Sequence, residues 1–215
     1  MRILSLQTGR VRRMEDGPRG QAPHAWRSAT LKEPQEGARL LSFLGVDGDE
    51  QADRENHGGE EKAVLLYSGS HYARWNEEFP GAGFGGGGFG ENLTVDFIEE
   101  DIAIGDVLRI GGATVEISQP RVPCWKQAWR WGIEDLVERM QGTGRTGFYA
   151  RVLEPGDVRK GDEVLVLSNP YPDVTVARLN RVRYGRAEPG TLQALADCPA
   201  LAEEWRRWLR RQAGA

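Results

Sequence analysis

Cys124 stands in the stretch Gln119-Pro-Arg-Val-Pro-Cys-Trp-Lys126, between two prolines and two cations. A residue that precedes proline is driven out of the helical region, so the thiol is expected on a shaped loop rather than inside a helix. Arg121 and Lys126 would favour the thiolate, which is the form that ligates a soft metal or attacks sulfur. The ordinary alternative is a buried, inert cysteine, since free cysteine is among the most buried residue types. A second polar cluster runs from Asp49-Glu-Gln-Ala-Asp53 through His57-Gly-Gly59 to Lys62. There Gly58 and Gly59 could turn backbone N–H groups toward a phosphate or other oxyanion, with His57 and Lys62 adding donors. A solvated polar loop explains the same residues, because surface loops are usually polar. In Gly90-Glu-Asn-Leu-Thr94, Asn92 could serve as a neutral donor and acceptor.

Other chemistries fit less well. Gly81-Ala-Gly-Phe-Gly-Gly86 has the spacing of a dinucleotide fingerprint. That spacing has mechanical meaning only between a strand and the start of a helix, and here Pro80 precedes it and a strand-like Glu91–Val95 follows. His24, His57 and His71 form no His-Glu-x-x-His pattern, and the two cysteines, Cys124 and Cys198, cannot build a zinc knuckle. In a reducing compartment these cysteines are read as separate thiols, not as a structural disulfide. Asp197-Cys198-Pro199 reads as the capped start of a helix, a setting that also favours a thiolate.

The elements that must position these residues are mostly short strands. Asp106–Ile117 reads as a hairpin around Gly111-Gly112, Glu163–Leu167 as a strand, and Lys62–Tyr67 as a third. Glycine turns between scattered strands favour a barrel or sandwich over a doubly wound sheet. Ser70 is a plausible N-cap for a helix carrying Tyr72, Trp75 and Phe79, and Pro80 ends it. Ile133, Leu136, Val137 and Met140 fit one face of another, with Gly142 at its C-terminus. After Asn169-Pro-Tyr-Pro172 the chain turns helical: Thr175 caps a helix to Tyr184, a second spans Thr191 to Ala196, and Pro199 opens a third to about Gln212. Leu201, Trp205, Trp208 and Leu209 line one face of the last helix, while Arg206, Arg207, Arg210, Arg211 and, upstream, Arg186 remain for solvent or an acidic partner.

Composition narrows the functional classes. With 28 basic and 32 acidic residues the net charge is −4, which argues against a nucleic acid polymer or an anionic membrane as partner. No apolar run approaches the roughly 20 residues needed to span a bilayer. The first ten residues lack a signal-like apolar core, so a cytoplasmic protein is expected. At 215 residues one main core is the default, with room for a small appendage.

Taken in order, Gly48–Asp53, His57-Gly-Gly59, Phe89-Gly-Glu-Asn-Leu93, Gln119-Pro-Arg121 with Pro123-Cys124 and Lys126, and Pro155-Gly156 resemble the motifs of the MOSC domain family, in its YiiM-like branch. The match runs from about residue 25 to 168, and the tail with Asp173-Val-Thr-Val176 resembles that branch's three-helix extension. The run Gly85 to Gly88 is richer in glycine than the family pattern. The resemblance implies an α+β fold: a mainly β MOSC barrel over residues 1–168 with a few packed helices, then a three-helix C-terminal extension over 173–215. It implies molybdenum cofactor in its molybdopterin form, with Cys124 as metal ligand and catalytic centre. His57, Gly58, Gly59, Lys62, Asn92, Arg121 and Lys126 would surround the cofactor, the basic and N–H groups meeting the pterin phosphate. The implied activity is reduction of N-hydroxylated compounds, such as hydroxylaminopurine-like bases or amidoximes, to amines. Such an enzyme would need an external electron-donor reductase, because two cysteines cannot hold an iron–sulfur cluster and no credible flavin fingerprint exists. The alternative is a carrier of molybdenum cofactor, or of sulfur as a Cys124 persulfide, without reductase activity. A homodimer is compatible with either.

Overall fold

The structure, a computed structural model, describes residues 1–15, 26–185, 187 and 190–214. His24 and Arg186, both singled out above, lie outside the described residues. The chain first lays down β1 (Ile3–Thr8), β2 (Arg12–Met14), β3 (Trp26–Ser28), β4 (Glu33–Pro34), β5 (Arg39–Ser42) and β6 (Gly45–Val46). Helix α1 (Arg54–His57) and a single 3₁₀ turn (Glu60–Lys62) lead into β7 (Val64–Ser68), α2 (Gly69–Glu78) and β8 (Leu93–Val95). Then follow β9 (Val107–Ile110), β10 (Ala113–Pro120), α3 (Lys126–Trp131), α4 (Leu136–Thr143), β11 (Phe148–Glu154), β12 (Gly156–Val158) and β13 (Val164–Ser168). The tail is α5 (Val176–Tyr184), α6 (Thr191–Ala196) and α7 (Glu203–Ala213).

Eight strands form one sheet in the order β13-β9-β10-β11-β7-β8-β1-β4, with only the β7/β8 pair parallel. The sheet curls: Ile3 N–H donates to Asp162 O and Val164 N–H to Met1 O, so the start of β1 meets the start of β13. The resulting half-barrel is the mainly β architecture expected. Strands β7 and β10 are both almost wholly buried, β7 as an apolar run and β10 with Thr114, Ser118 and Gln119 among its buried residues, whereas β13, at the edge, exposes Leu165, Val166 and Leu167. The β9–β10 hairpin turns at Gly111, whose φ of +55° only glycine adopts without strain.

Ile3, Leu66, Val115 and Phe148 belong to the barrel's core, and Leu179, Leu195, Leu201, Trp205 and Leu209 of the tail join the same apolar cluster. The extension is therefore packed through a shared core, not tethered. A second cluster joins α2, the glycine loop and α4: Tyr67, Tyr72, Trp75, Phe84, Phe89, Leu136 and Met140. Burying Phe89, Leu136 and Met140 contributes roughly 1.5–3 kcal/mol each.

Several boundaries move. Ser68, not Ser70, caps α2, its hydroxyl accepting from Ser70 N–H at 3.3 Å. Gly142 lies inside α4, and the left-handed residue that ends it is Gly144, at φ +72°. Ile133 falls in the turn before α4. Helix α7 opens at Glu203, four residues after Pro199, because Cys198–Leu201 form a turn in which Leu201 N–H donates to Cys198 O. Thr175 caps α5 as expected, accepting from Arg178 N–H at 3.1 Å. No helix among the described residues is long and apolar enough to cross a membrane.

Candidate functional site

Strand β10 ends in a register break between Ile117 and Gln119, and beyond Pro120 the chain makes the loop that carries Cys124 to the start of α3. Gln127 N–H donates back to Cys124 O at 3.1 Å, fixing the turn. Cys124, partly exposed, lines a cleft with two lobes that share part of their lining. Asp53, His57, Lys62, Cys124, Lys126 and Tyr149 line both. Among the described residues no group of three or more His, Cys, Asp or Glu side chains could hold a metal ion. A metal here would have to bring most of its own ligands and take the thiolate as one more.

The cleft gathers cations. Lys62, Arg121 and Lys126 reach it from the 3₁₀ turn, the loop after β10 and α3, and His57 from the end of α1. Burial, then the charges of Lys126 and Arg121, push the His57 imidazole down to about 4 against only a small opposing pull from Asp53. His57 is therefore neutral at physiological pH. Asp53 caps α1, and its carboxyl is held low by the Asn56 amide and backbone N–H groups donating to it. Tyr149 is pushed up to about 12, mainly by burial, so it stays a phenol.

Some expected site residues hold the walls as well as lining them. Arg121 is buried and donates to Phe89 O at 3.0 Å and to Thr146 O at 3.5 Å, tying together the two glycine-bearing loops beside the cleft. Asn92 donates to Asp49 Oδ2 at 2.9 Å and accepts from Leu65 N–H at 3.3 Å, so much of its amide is engaged with protein. Gly58 and Gly59 are not among the lining residues; Gly59, at φ +85°, turns the chain between His57 and Lys62. Lys126 lies over the Trp26 ring at 5.7 Å, and Trp26 meets Trp125 and Trp129 edge-on at 4.7 and 5.0 Å.

Sequence reasoning missed other lining residues. Lys32 forms an ion pair with Asp49 in the cleft wall, with side chains 7% and 3% exposed, and neither residue has a local motif that announces the pairing. Gln127 and Gln119 are almost fully buried, and the Oε1 atom of each has no protein partner. Glu204 arrives from α7, and its carboxylate meets Lys62 Nζ at 2.6 Å. Its approach depends on how the tail docks, which no spacing encodes. Cys198 is buried away from the cleft lining, and burial pushes its thiol up, against the helix-start reading of Asp197–Pro199. The glycine run next to Asn92 is held by Glu91, whose buried carboxylate accepts from the N–H groups of Gly87 (2.6 Å) and Phe89 (3.1 Å), the Thr94 hydroxyl (2.9 Å) and the Tyr72 hydroxyl.

Comparison with known proteins identifies the family and the fold. The MOSC domain model matches residues 53–165, over half the chain, and the YiiM-like 3-alpha helix domain model matches 174–212. YflK of Bacillus subtilis (strain 168) is 40% identical over 95% of this chain and 90% of its own length. Protein YiiM of Escherichia coli (strain K12) is 34% identical over 88% and 86%. A protein named reductase from Gibberella moniliformis is 36% identical over 93% of this chain, which spans only 35% of that longer protein. The crystal structure of YiiM from Geobacillus stearothermophilus superposes with a TM-score of 0.82 at 28% identity, covering 99% of this chain and 98% of its own. The chain belongs to the MOSC domain family, with the YiiM-like three-helix domain as its C-terminal part.

Proposed function

We propose that this protein binds molybdenum cofactor in its cleft and reduces N-hydroxylated compounds to amines. The observation that carries the reading is Cys124 in a cleft ringed by cations, on a chain with no metal-holding cluster of its own among the described residues. The residues present fit the cofactor. A thiolate at Cys124 would hold the metal, Lys62 and Lys126 would meet the anionic phosphate, and the unpartnered Oε1 atoms of Gln127 and Gln119 would be acceptors for pterin N–H groups. When bound, the cofactor supplies two-electron reduction of the N–O bond.

The protein's own groups bind, orient and exclude water. Neutral His57 offers one N–H donor and one acceptor without adding charge. Trp125, 44% exposed beside Cys124 in the cleft, would give a planar substrate an aromatic surface. The fungal relative's name supports a reductase, and most of its length lies outside the region shared with this chain. A separate protein is the expected electron donor here, and NADH or NADPH alone should not drive turnover.

The test is expression in hosts with and without cofactor synthesis, then molybdenum quantification and an assay with a hydroxylamine substrate. Close to one molybdenum per chain in the first host and little in the second is expected. Zinc or flavin retained instead would refute the cofactor reading. Molybdenum bound without turnover, whatever the donor protein, would favour the carrier role.

A further inference from the structure

Lys62 is 10% exposed, and its ammonium is already committed: Nζ donates to Asn56 O at 3.1 Å and to Glu204 Oε2 at 2.6 Å. Glu204 is 59% exposed, so the lysine is the fixed partner and the carboxylate reaches it from solvent. The two backbones are held by one feature of the sheet. Ser118, at the register break in β10, donates its hydroxyl to Glu61 O, next to Lys62, and its carbonyl accepts from Ala202 N–H at the start of α7. Arg151 adds a second tie, pairing with Glu61 Oε2 and donating to Ala200 O at 2.8 Å. Trp205 and Leu209, buried on the other side of α7, prevent the helix from lifting away. Only side chains are free to exchange.

The other cleft cations differ. Lys32 is paired with Asp49 in the wall, Arg121 donates to two carbonyls, and Lys126 lies over Trp26. Lys62 is therefore the cation lining both lobes whose counter-ion is an exposed carboxylate borne on the extension. We propose that Glu204 is a displaceable lid on the anion subsite at Lys62: it holds the lysine until a phosphate-bearing ligand replaces it, and so lets the three-helix extension set the cleft's affinity for phosphate. The inference rests on the reading of the cleft as an anion site.

An ion pair with one exposed partner is worth a factor of about five in an equilibrium constant. The test titrates inorganic phosphate into the full chain, made in a host without the cofactor, by calorimetry. Glu204→Gln is expected to bind phosphate about fivefold more tightly than the unaltered chain. Glu203→Gln, which changes net charge equally but pairs only along α7, should stay within about twofold, well under that factor. The gain should vanish when Lys62→Gln is combined with Glu204→Gln. Equal affinities for the Glu204 and Glu203 variants, or a gain that survives Lys62→Gln, would overturn the lid while leaving the anion site standing. Phosphate binding by none of them would overturn the anion site and the lid together.

Discussion

Glu91→Gln tests what holds the glycine-rich wall of the cleft. The carboxylate is fully buried and accepts from two backbone N–H groups and two hydroxyls. A glutamine keeps the shape but offers a single acceptor oxygen, and its NH₂ faces the remaining donors. The Tyr72 and Thr94 hydroxyls can rotate to accept, but a backbone N–H cannot, so at least one of Gly87 and Phe89 is left unpaired. Losing charge-assisted bonds costs about 1 kcal/mol for each, an orphaned buried N–H a further 1–3, and removal of a buried charge offsets part of this. The expected net loss is about 2–4 kcal/mol, or roughly 5–15 °C in Tm for a chain of this size. Thr94→Val, which removes one neutral donor, should cost about 1 kcal/mol. Thermal melts measure the loss, and hydrogen exchange at Gly87 and Phe89 locates it. A Glu91→Gln protein that melts within about 2 °C of the parent, less than the shift from 1 kcal/mol, with unchanged exchange in the loop, would refute the claim that this carboxylate organises it.

Cys124→Ser should lose molybdenum retention and turnover, while Cys198→Ser keeps both with a stability loss of about 1–2 kcal/mol; metal analysis and melts decide, and full activity in Cys124→Ser removes the ligation model. Because burial raises the Cys198 thiol, alkylation of the native apoprotein should mark Cys124 first, as peptide mapping would show. Between the usual histidine value of about 6.5 and about 4, the unfolded chain takes up a proton at His57 that the folded chain refuses, so stability falls as pH drops through that window. Urea midpoints at pH 7 and 5 should therefore lie closer together in His57→Gln than in the parent. Arg183 lies over Trp205 and Trp208 at 4.9 and 4.6 Å, so Arg183→Ala should lower stability by about 1–2 kcal/mol and red-shift tryptophan emission.

What could be read from the sequence was what is local. The β9–β10 hairpin shows because Gly111-Gly112 and the flanking apolar residues lie within a dozen positions, and α5 shows through its Thr175 cap. Strand β1 does not, because its partners are distant: Gln7 pairs with Pro34 and Ile3 with Val95. The same distinction separates the site residues. Cys124 and Lys126 share one proline-shaped segment, and His57 and Lys62 another, so spacing alone could suggest them. Lys32 becomes a wall residue only through Asp49, and Glu204 lies 142 positions from the lysine it meets. Asn92 was legible as polar but not as engaged, since its tie to Asp49 depends on how β8 lies beside β1.

The depressed His57 and the cation set of the cleft are two views of one field. Lys126, Arg121 and Lys62 each push the imidazole toward its neutral form, and burial adds to them. Any anion seated among those cations cancels part of that push, so the proton affinity of His57 must rise when the anion binds. Linkage makes the effect reciprocal: a protonated His57 would hold the anion more tightly by the same factor. Glu204 pairs with Lys62, the weakest of the three cations acting on His57. The cations that keep the imidazole neutral would also favour an anion beside Cys124.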